Sequence, residues 1–300
     1  MSAATMTRSS ATATATAKRR SPVMRRRKPL RRRITGAVTT TITWVLVLGF
    51  FFPVAWMVFT AFKSEAAAAT STPTFITELS FDRFQDVFDR GFTAYLLNSM
   101  TASVMSTLIV LLLAIPAAYG LSVRPLIRST DALFFFISTK FMPIAAAIIP
   151  IYLLLQNFGA LDNISALSIL YVGMNLPLAV WMMRSFFSEV PLEIIEAAQI
   201  DGAGFWTELV RVVLPIVAPG IAAAALICFI FAWNEYFLAT ILTSTTARTT
   251  PPFLGSFVDG RGSFLAVLSA AATLAVLPVV IAGWLAQKRL VRGLAMGAIK

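Results

Sequence analysis

Side chains able to make or break bonds are scarce in this chain. It has no histidine and a single cysteine, Cys228, set in an apolar run. Intrachain disulfides, His/Cys metal clusters and His-assisted nucleophiles are therefore excluded together. Glu65, Glu78, Asp82, Asp86 and Asp89 are scattered among aromatic residues, and Phe81, Phe84 and Phe88 point to a short interfacial helix there rather than to a catalytic group. No catalytic residue and no metal ligand is assigned. Two ionisable residues do lie inside apolar runs, Lys140 and, beside Trp233 and Asn234, Glu235. A charge in hydrocarbon is costly unless it faces a cavity or a partner, so all four residues are candidates for lining a solute path. Snorkelling or pairing with another subunit accounts equally for Lys140. Hydrogen bonding between helices accounts equally for Glu235.

The elements that must position these residues are membrane helices. Apolar residues make up 58% of the 300 and charged ones only 13%, against about 25% charged in a soluble domain. A helix needs about 20 apolar residues to cross the hydrocarbon core. Six segments qualify, at 39–62, 95–123, 132–155, 164–187, 214–242 and 264–286. Several contain proline or glycine, including Pro116, Pro143, Pro150, Pro177 and Pro278, which membrane bundles tolerate when neighbours satisfy the freed backbone groups.

Residues 1–38 are rich in Ala, Thr, Ser and Arg and cannot bury enough surface to offset chain entropy, so a disordered basic cytoplasmic arm is expected. The uncharged run at 34–62 is longer than the apolar stretch of a signal peptide, so it reads as an uncleaved span, and the same length disfavours a twin-arginine export signal. With the amino terminus inside, nineteen Lys and Arg fall on the cytoplasmic side and five outside, which sets the orientation and places both termini in the cytoplasm. The net charge of +11 is concentrated in the arm. Attraction to anionic lipid explains it more simply than nucleic acid does.

One cytoplasmic stretch, 188–213, is long, amphiphilic and dense in charge. Ser188 with Pro191 can start a helix, since proline costs nothing in a first turn. Asp201-Gly202 breaks it, glycine taking the left-handed conformation without a Cβ penalty, and a second helix can begin near residues 203–205. The product is a helix, a sharp turn and a helix.

In that stretch Glu196-Ala197-Ala198, then Asp201-Gly202, then after nine residues Val212-Val213-Leu214-Pro215, resembles the EAA loop of permease subunits in binding-protein-dependent ABC importers. The family pattern is E-A-A, three residues, G, nine residues, I-x-L-P, and only Val212 departs from it. Ala232-Trp233-Asn234-Glu235-Tyr236-Phe237-Leu238, Pro116-Ala117-Ala118-Tyr119-Gly120 and the ending Gly293-Leu294-Ala295-Met296-Gly297-Ala298-Ile299-Lys300 are similar to the sugar-importing branch, in particular to the shorter, maltose-type second permease.

The resemblance implies an all-α membrane protein with six transmembrane helices in the type I ABC importer permease fold and a cytoplasmic helix–turn–helix coupling loop. It implies that Glu196, Ala197, Ala198, Asp201, Gly202, Leu214 and Pro215 couple to an ATPase by helix-in-groove docking, the two alanines allowing close approach and Gly202 setting the angle. Implied partners are a second permease, an ATPase dimer and an extracytoplasmic sugar-binding protein. ATP and Mg would sit on the ATPase, leaving no cofactor in this chain and no enzyme activity of its own. By the same resemblance, the segment at 243–262 corresponds to one that inserts into the binding protein, and the C-terminal tail to one that reaches between the ATPase subunits. The main rival is a secondary transporter driven by an ion gradient, which commonly shows inverted repeats; no repeat relates the two halves here.

Overall fold

The computed structural model describes residues 30–70, 72–123, 129–258 and 264–297, with the backbone alone over 30–35 and 288–297. Among the described residues every regular element is helical. The first half comprises α1 (Leu30–Thr60), α2 (Glu65–Ala68), α3 (Asp82–Asp89), α4 (Phe92–Ser122), α5 (Ser129–Thr139), α6 (Ile144–Asn157) and α7 (Ile164–Phe187). The second comprises α8 (Leu192–Ile200), α9 (Phe205–Thr207), a π-helical segment (Glu208–Val213), α10 (Leu214–Trp233), α11 (Phe237–Leu242), α12 (Thr250–Gly255) and α13 (Leu265–Gly297). Among these, five helices are long and apolar enough to cross a bilayer, six if the bent pair α5 and α6 is one crossing.

The chain divides into two units, Met1–Phe52 and Pro53–Lys300. In the first, Trp44, Phe50 and Phe51 are all exposed, as befits a helix that is apolar all round and solvated by acyl chains. The arm was expected to be irregular through residue 38, but the helix already begins at Leu30; the rest of the arm lies outside the described residues.

In the second unit α4 packs on α7 and α10, α10 also packs on α7 and α13, and α13 packs on α3. Helix α4 buries Ala102, Ser103, Ser106, Val110, Ala114 and Ala118. Three- and four-residue spacing puts them on one face, and their small size lets backbones approach without hydrophobic drive in lipid. Helices α7 and α10 meet tightly at Gly220, where an added Cβ would lie 2.2 Å from Cγ of Phe186. Gly220→Ala is therefore expected to push the Phe186 ring out of the α7–α10 seam and to cost about 1–3 kcal/mol by overpacking, read as a lower unfolding temperature of the purified chain.

Two expected spans are not single helices. The third, 132–155, is broken between α5 and α6 with a bend of 84°. Pro143 is extended there (φ −63°, ψ 118°) and forces Met142 out of the helical region, because a residue before proline is pushed toward extended backbone. The fifth, 214–242, starts earlier and ends earlier. Its helix is continuous over Phe205–Trp233, and after a break at Asn234 a separate α11 follows. The fourth span is Ile164–Phe187 as expected, begun by Asn163, whose side chain accepts from Ser165 and Ala166 N–H.

Ahead of α4, α3 supplies the short helix expected among the phenylalanines, with Phe84 packed inward and Phe81 exposed. Arg83 and Asp86 pair on it at 2.8 Å. The Glu65 carboxylate accepts from Ala266 and Val267 N–H at 3.0 and 2.9 Å, satisfying donors that the first turn of α13 leaves open. Lys63, fully buried, donates to the Thr74 carbonyl at 2.6 Å and lies 4.2 Å from the Trp56 ring centre, so an aromatic face and a carbonyl stand in for a counter-ion.

Candidate functional site

The stretch at 188–213 forms an elbow. Its helix starts later than expected: Ser188 ends α7 with its N–H and Oγ on the Arg184 carbonyl, and Pro191, extended, precedes α8. At the other end Asp201 terminates α8 and Gly202 adopts φ +82°. Gly202 N–H donates to Gln199 O at 3.0 Å and Ala203 N–H to Ala198 O at 2.9 Å. This pair of bonds is the Schellman closure, which satisfies carbonyls that a helix end would otherwise leave open. The chain restarts at Phe205 and runs through the π-helical segment into α10. The wider π turn makes room for Pro215, whose ring would otherwise meet the carbonyl four residues earlier.

The elbow has an inner and an outer face. Ile195 and Ala198 are buried against the bundle, whereas Glu196 and Ala197 are exposed. Ala198, 9% exposed, packs against its own chain, so the two adjacent alanines differ in exposure. Asp201 and Gly202 are exposed at the bend, while Leu214 is half-buried and Pro215 exposed at the start of α10. Sequence reasoning missed Ile200 and Trp206, which flank the bend at 86% and 65% exposure. Two large apolar side chains exposed beside a carboxylate form an apolar patch of the kind that marks interaction surfaces.

The four residues singled out in apolar runs lie at helix breaks. Lys140 sits in the turn between α5 and α6, not inside a helix, and its Nζ donates to the Met174 carbonyl of α7 at 2.7 Å. Trp233 ends α10, buried, with its ring 5.8 Å from that of Phe229. Asn234 follows it, exposed, and donates to the Ile230 carbonyl at 2.8 Å. Glu235 accepts from Leu238 and Ala239 N–H at 3.0 and 3.1 Å, capping the first turn of α11, where a carboxylate meets the positive helix end. Each break leaves backbone groups open, which is tolerated at membrane depth where protein or a water-filled cavity covers them.

A family model described as "Binding-protein-dependent transport system inner membrane component" matches residues 91–295, which include α4, the elbow and both breaks. The chain belongs to this family. It is 35% identical over 270 residues, covering 89% of this chain and 97% of the other, to the "Probable ABC transporter permease protein y4oR" of Sinorhizobium fredii. It is 30% identical over 275 residues, 90% of this chain and 100% of the other, to the diacetylchitobiose uptake system permease protein DasC of Streptomyces coelicolor. Among solved structures, a bacterial ABC transporter involved in the import of the acidic polysaccharide alginate superposes with a TM-score of 0.70 at 25% identity, over 86% of this chain and 97% of that one. The protein is an ABC permease that crosses the membrane several times.

The connector that follows α11 is held by a residue that carried no signal in the sequence. Asp162, between α6 and α7, takes φ +52°. Its carboxylate accepts the N–H groups of Ser244, Thr245, Thr246 and Ala247 at 2.9–3.1 Å and the hydroxyls of Ser244 and Thr245. Burial by itself would raise its pKa, but the backbone donors from Thr246, Ser244, Ala247 and Thr245 outweigh that and hold the carboxyl below the usual carboxylate range. Next along the chain, Thr250 N–H donates to Ser99 Oγ at 2.7 Å, and Asn98 donates to the Thr246 and Arg248 carbonyls. The described part of the segment at 243–262 is therefore strapped onto α4. Residues 259–263 lie outside the described residues.

Proposed function

We propose that this chain is the membrane-spanning permease subunit of an ATP-driven importer that takes a carbohydrate, a sugar or polyol, from a secreted binding protein into the cytoplasm by alternating access. The elbow carries this reading: a short helix closed at Gly202, with Glu196, Ala197, Ile200 and Trp206 exposed around the bend, followed by a second helix that runs from Phe205 without interruption into a membrane helix. A rigid projection of that kind, gripped by an ATPase that closes on ATP and Mg, can tilt the helix it leads into. The relatives named for diacetylchitobiose and alginate support a carbohydrate as the solute.

In this reading the two termini and the elbow face the cytoplasm, as the excess of Lys and Arg there requires. A second permease and an ATPase dimer complete the membrane complex, and the binding protein docks on the opposite side. Lys140, Trp233, Asn234 and Glu235 lie at the two helix breaks and border the solute path, where interrupted helices can present polar groups without leaving the protein.

The test is capture of the ATPase. Affinity-tagged wild-type permease should retain its ATPase on a column, and Glu196→Lys should retain about tenfold less, because reversing a charge at a docking rim both removes attraction and adds repulsion. Equal retention by the two removes Glu196 from the docking surface. Labelling of a Glu193→Cys variant only by a reagent confined to the outside would place the elbow on the wrong side for any ATPase.

A further inference from the structure

Beneath the elbow lies a buried polar link that the docking surface does not use. Glu208, in the π-helical segment, is 0% exposed. Its Oε1 accepts the hydroxyl of Tyr119, from α4, and its Oε2 accepts the Gln199 amide, from α8, at 3.1 Å. Tyr119 is equally buried, its ring meeting Phe187 at the end of α7 (5.8 Å, 69°) and Phe205 at the start of α9 (5.3 Å, 69°). Close by, Ser122 of α4 donates to the Ala118 and Arg184 carbonyls, so the ends of α4 and α7 are tied as well.

A carboxylate desolvated this completely is costly unless its oxygens are satisfied, and an apolar side chain would fill the space at no such cost. Hydrogen bonds to a charged group are directional and stronger than neutral ones. They fix the mutual orientation of three segments in a way that apolar contact cannot, since apolar contacts permit sliding. The π turn adds to this, because a π-bulge is where a helix concentrates its deformability. Without the link, a pull on α8 would be absorbed in the bend at Gly202 and the π turn before reaching α4.

We infer that Glu208 and Tyr119 are positioning residues that make the elbow and α4 move as one body, so that displacement of α8 reaches a second membrane helix besides α10. The inference rests on the coupling role proposed for the elbow. It gives the side-chain amide of Gln199, a residue exposed on α8, a partner within the permease.

The test is made in the purified complex of permease, partner permease and ATPase, in a Cys228→Ala background, with spin labels at Glu193→Cys on α8 and Leu113→Cys on the exposed side of α4. In the otherwise wild-type complex the distance distribution should be narrow and the same with and without ATP and vanadate. Tyr119→Phe removes one hydroxyl and keeps the ring packing; Glu208→Ala removes the acceptor. Both should still hold the ATPase, yet widen the distribution about twofold and make it shift with nucleotide, as expected once a two-state element is uncoupled. Glu208→Gln, whose amide oxygen can still accept from Tyr119, should stay narrow. Distributions in Tyr119→Phe and Glu208→Ala that match wild type overturn the link, as does a wild-type distance that itself changes with nucleotide. A wild-type permease that co-purifies with no ATPase overturns the coupling reading and the link with it, and registers before any variant is compared.

Discussion

Gly202→Pro is expected to release the ATPase from the permease and to lower import by about a hundredfold, since proline costs about 3 kcal/mol or more where the backbone cannot accept it. The residue sits at φ +82°, whereas the pyrrolidine ring holds φ near −65°. The substitution also deletes the N–H that donates to the Gln199 carbonyl at 3.0 Å and disturbs the neighbouring bond from Ala203 to Ala198. Both bonds closing the elbow would be lost, and α8 would leave the bend at a different angle. No atom lies within 4 Å of an ideal Cβ at this position. Gly202→Ala therefore meets no clash and suffers only the left-handed penalty of about 1–2 kcal/mol, so about a tenfold loss is expected. The measurement is ATPase retained on tagged permease together with the import rate of the reconstituted complex. An alanine variant as damaged as the proline one, or a proline variant that still imports, would show that the angle of the elbow is not what matters.

The second large effect lies in the connector between α6 and α7. Asp162→Ala would leave four consecutive backbone N–H groups, those of Ser244 through Ala247, without their acceptor. Charge-assisted bonds contribute about 1.5–3 kcal/mol each and overlap when one carboxylate serves several donors, so a total near 3 kcal/mol is expected for this partly exposed cluster. Asp162→Asn should fall nearly as far, because an amide presents one acceptor where the loop requires two. The checks are the unfolding temperature of the purified permease and the rate of trypsin cleavage after Arg248, whose guanidinium is held on the Pro252 carbonyl at 3.2 Å. The pH dependence follows from the depressed carboxyl. A group held below its unfolded value, about 3.9 for Asp, stabilises fully above that value and loses its contribution only as pH falls through the lower native one. The gap between wild type and Asp162→Ala should thus be flat from pH 8 to pH 5, as a ~3.9 reference requires. It should close only in stronger acid.

How these residues could be found differs. Gly202 was legible because a glycine after a short amphiphilic helix has a local reason to be there. Asp162 was not, because the four residues that supply its six donor groups lie 82 to 85 positions away and nothing nearby marks an aspartate in a connector as special. Glu208 was hidden for a related reason: a carboxylate in a charged stretch reads as a solvated surface group, and only the packing of α4 over it reveals a buried one. Ala198 shows the same limit in reverse, since two adjacent alanines look equivalent until the helix is rotated onto its neighbour.

The chain by itself determined that this is a helical membrane protein, about where its long apolar helices fall, and that one charged stretch folds into a bent pair of helices. Those features rest on composition, run length and local backbone preference, which act within a few residues along the chain. The break beside Lys140, the early end of the fifth span, the inward turn of Ala198 and the burial of Glu208 against Tyr119 were decided by tertiary structure. Hydropathy measures how much a segment avoids water, and it is blind to the direction a helix takes or to the neighbour that will satisfy a polar atom inside it.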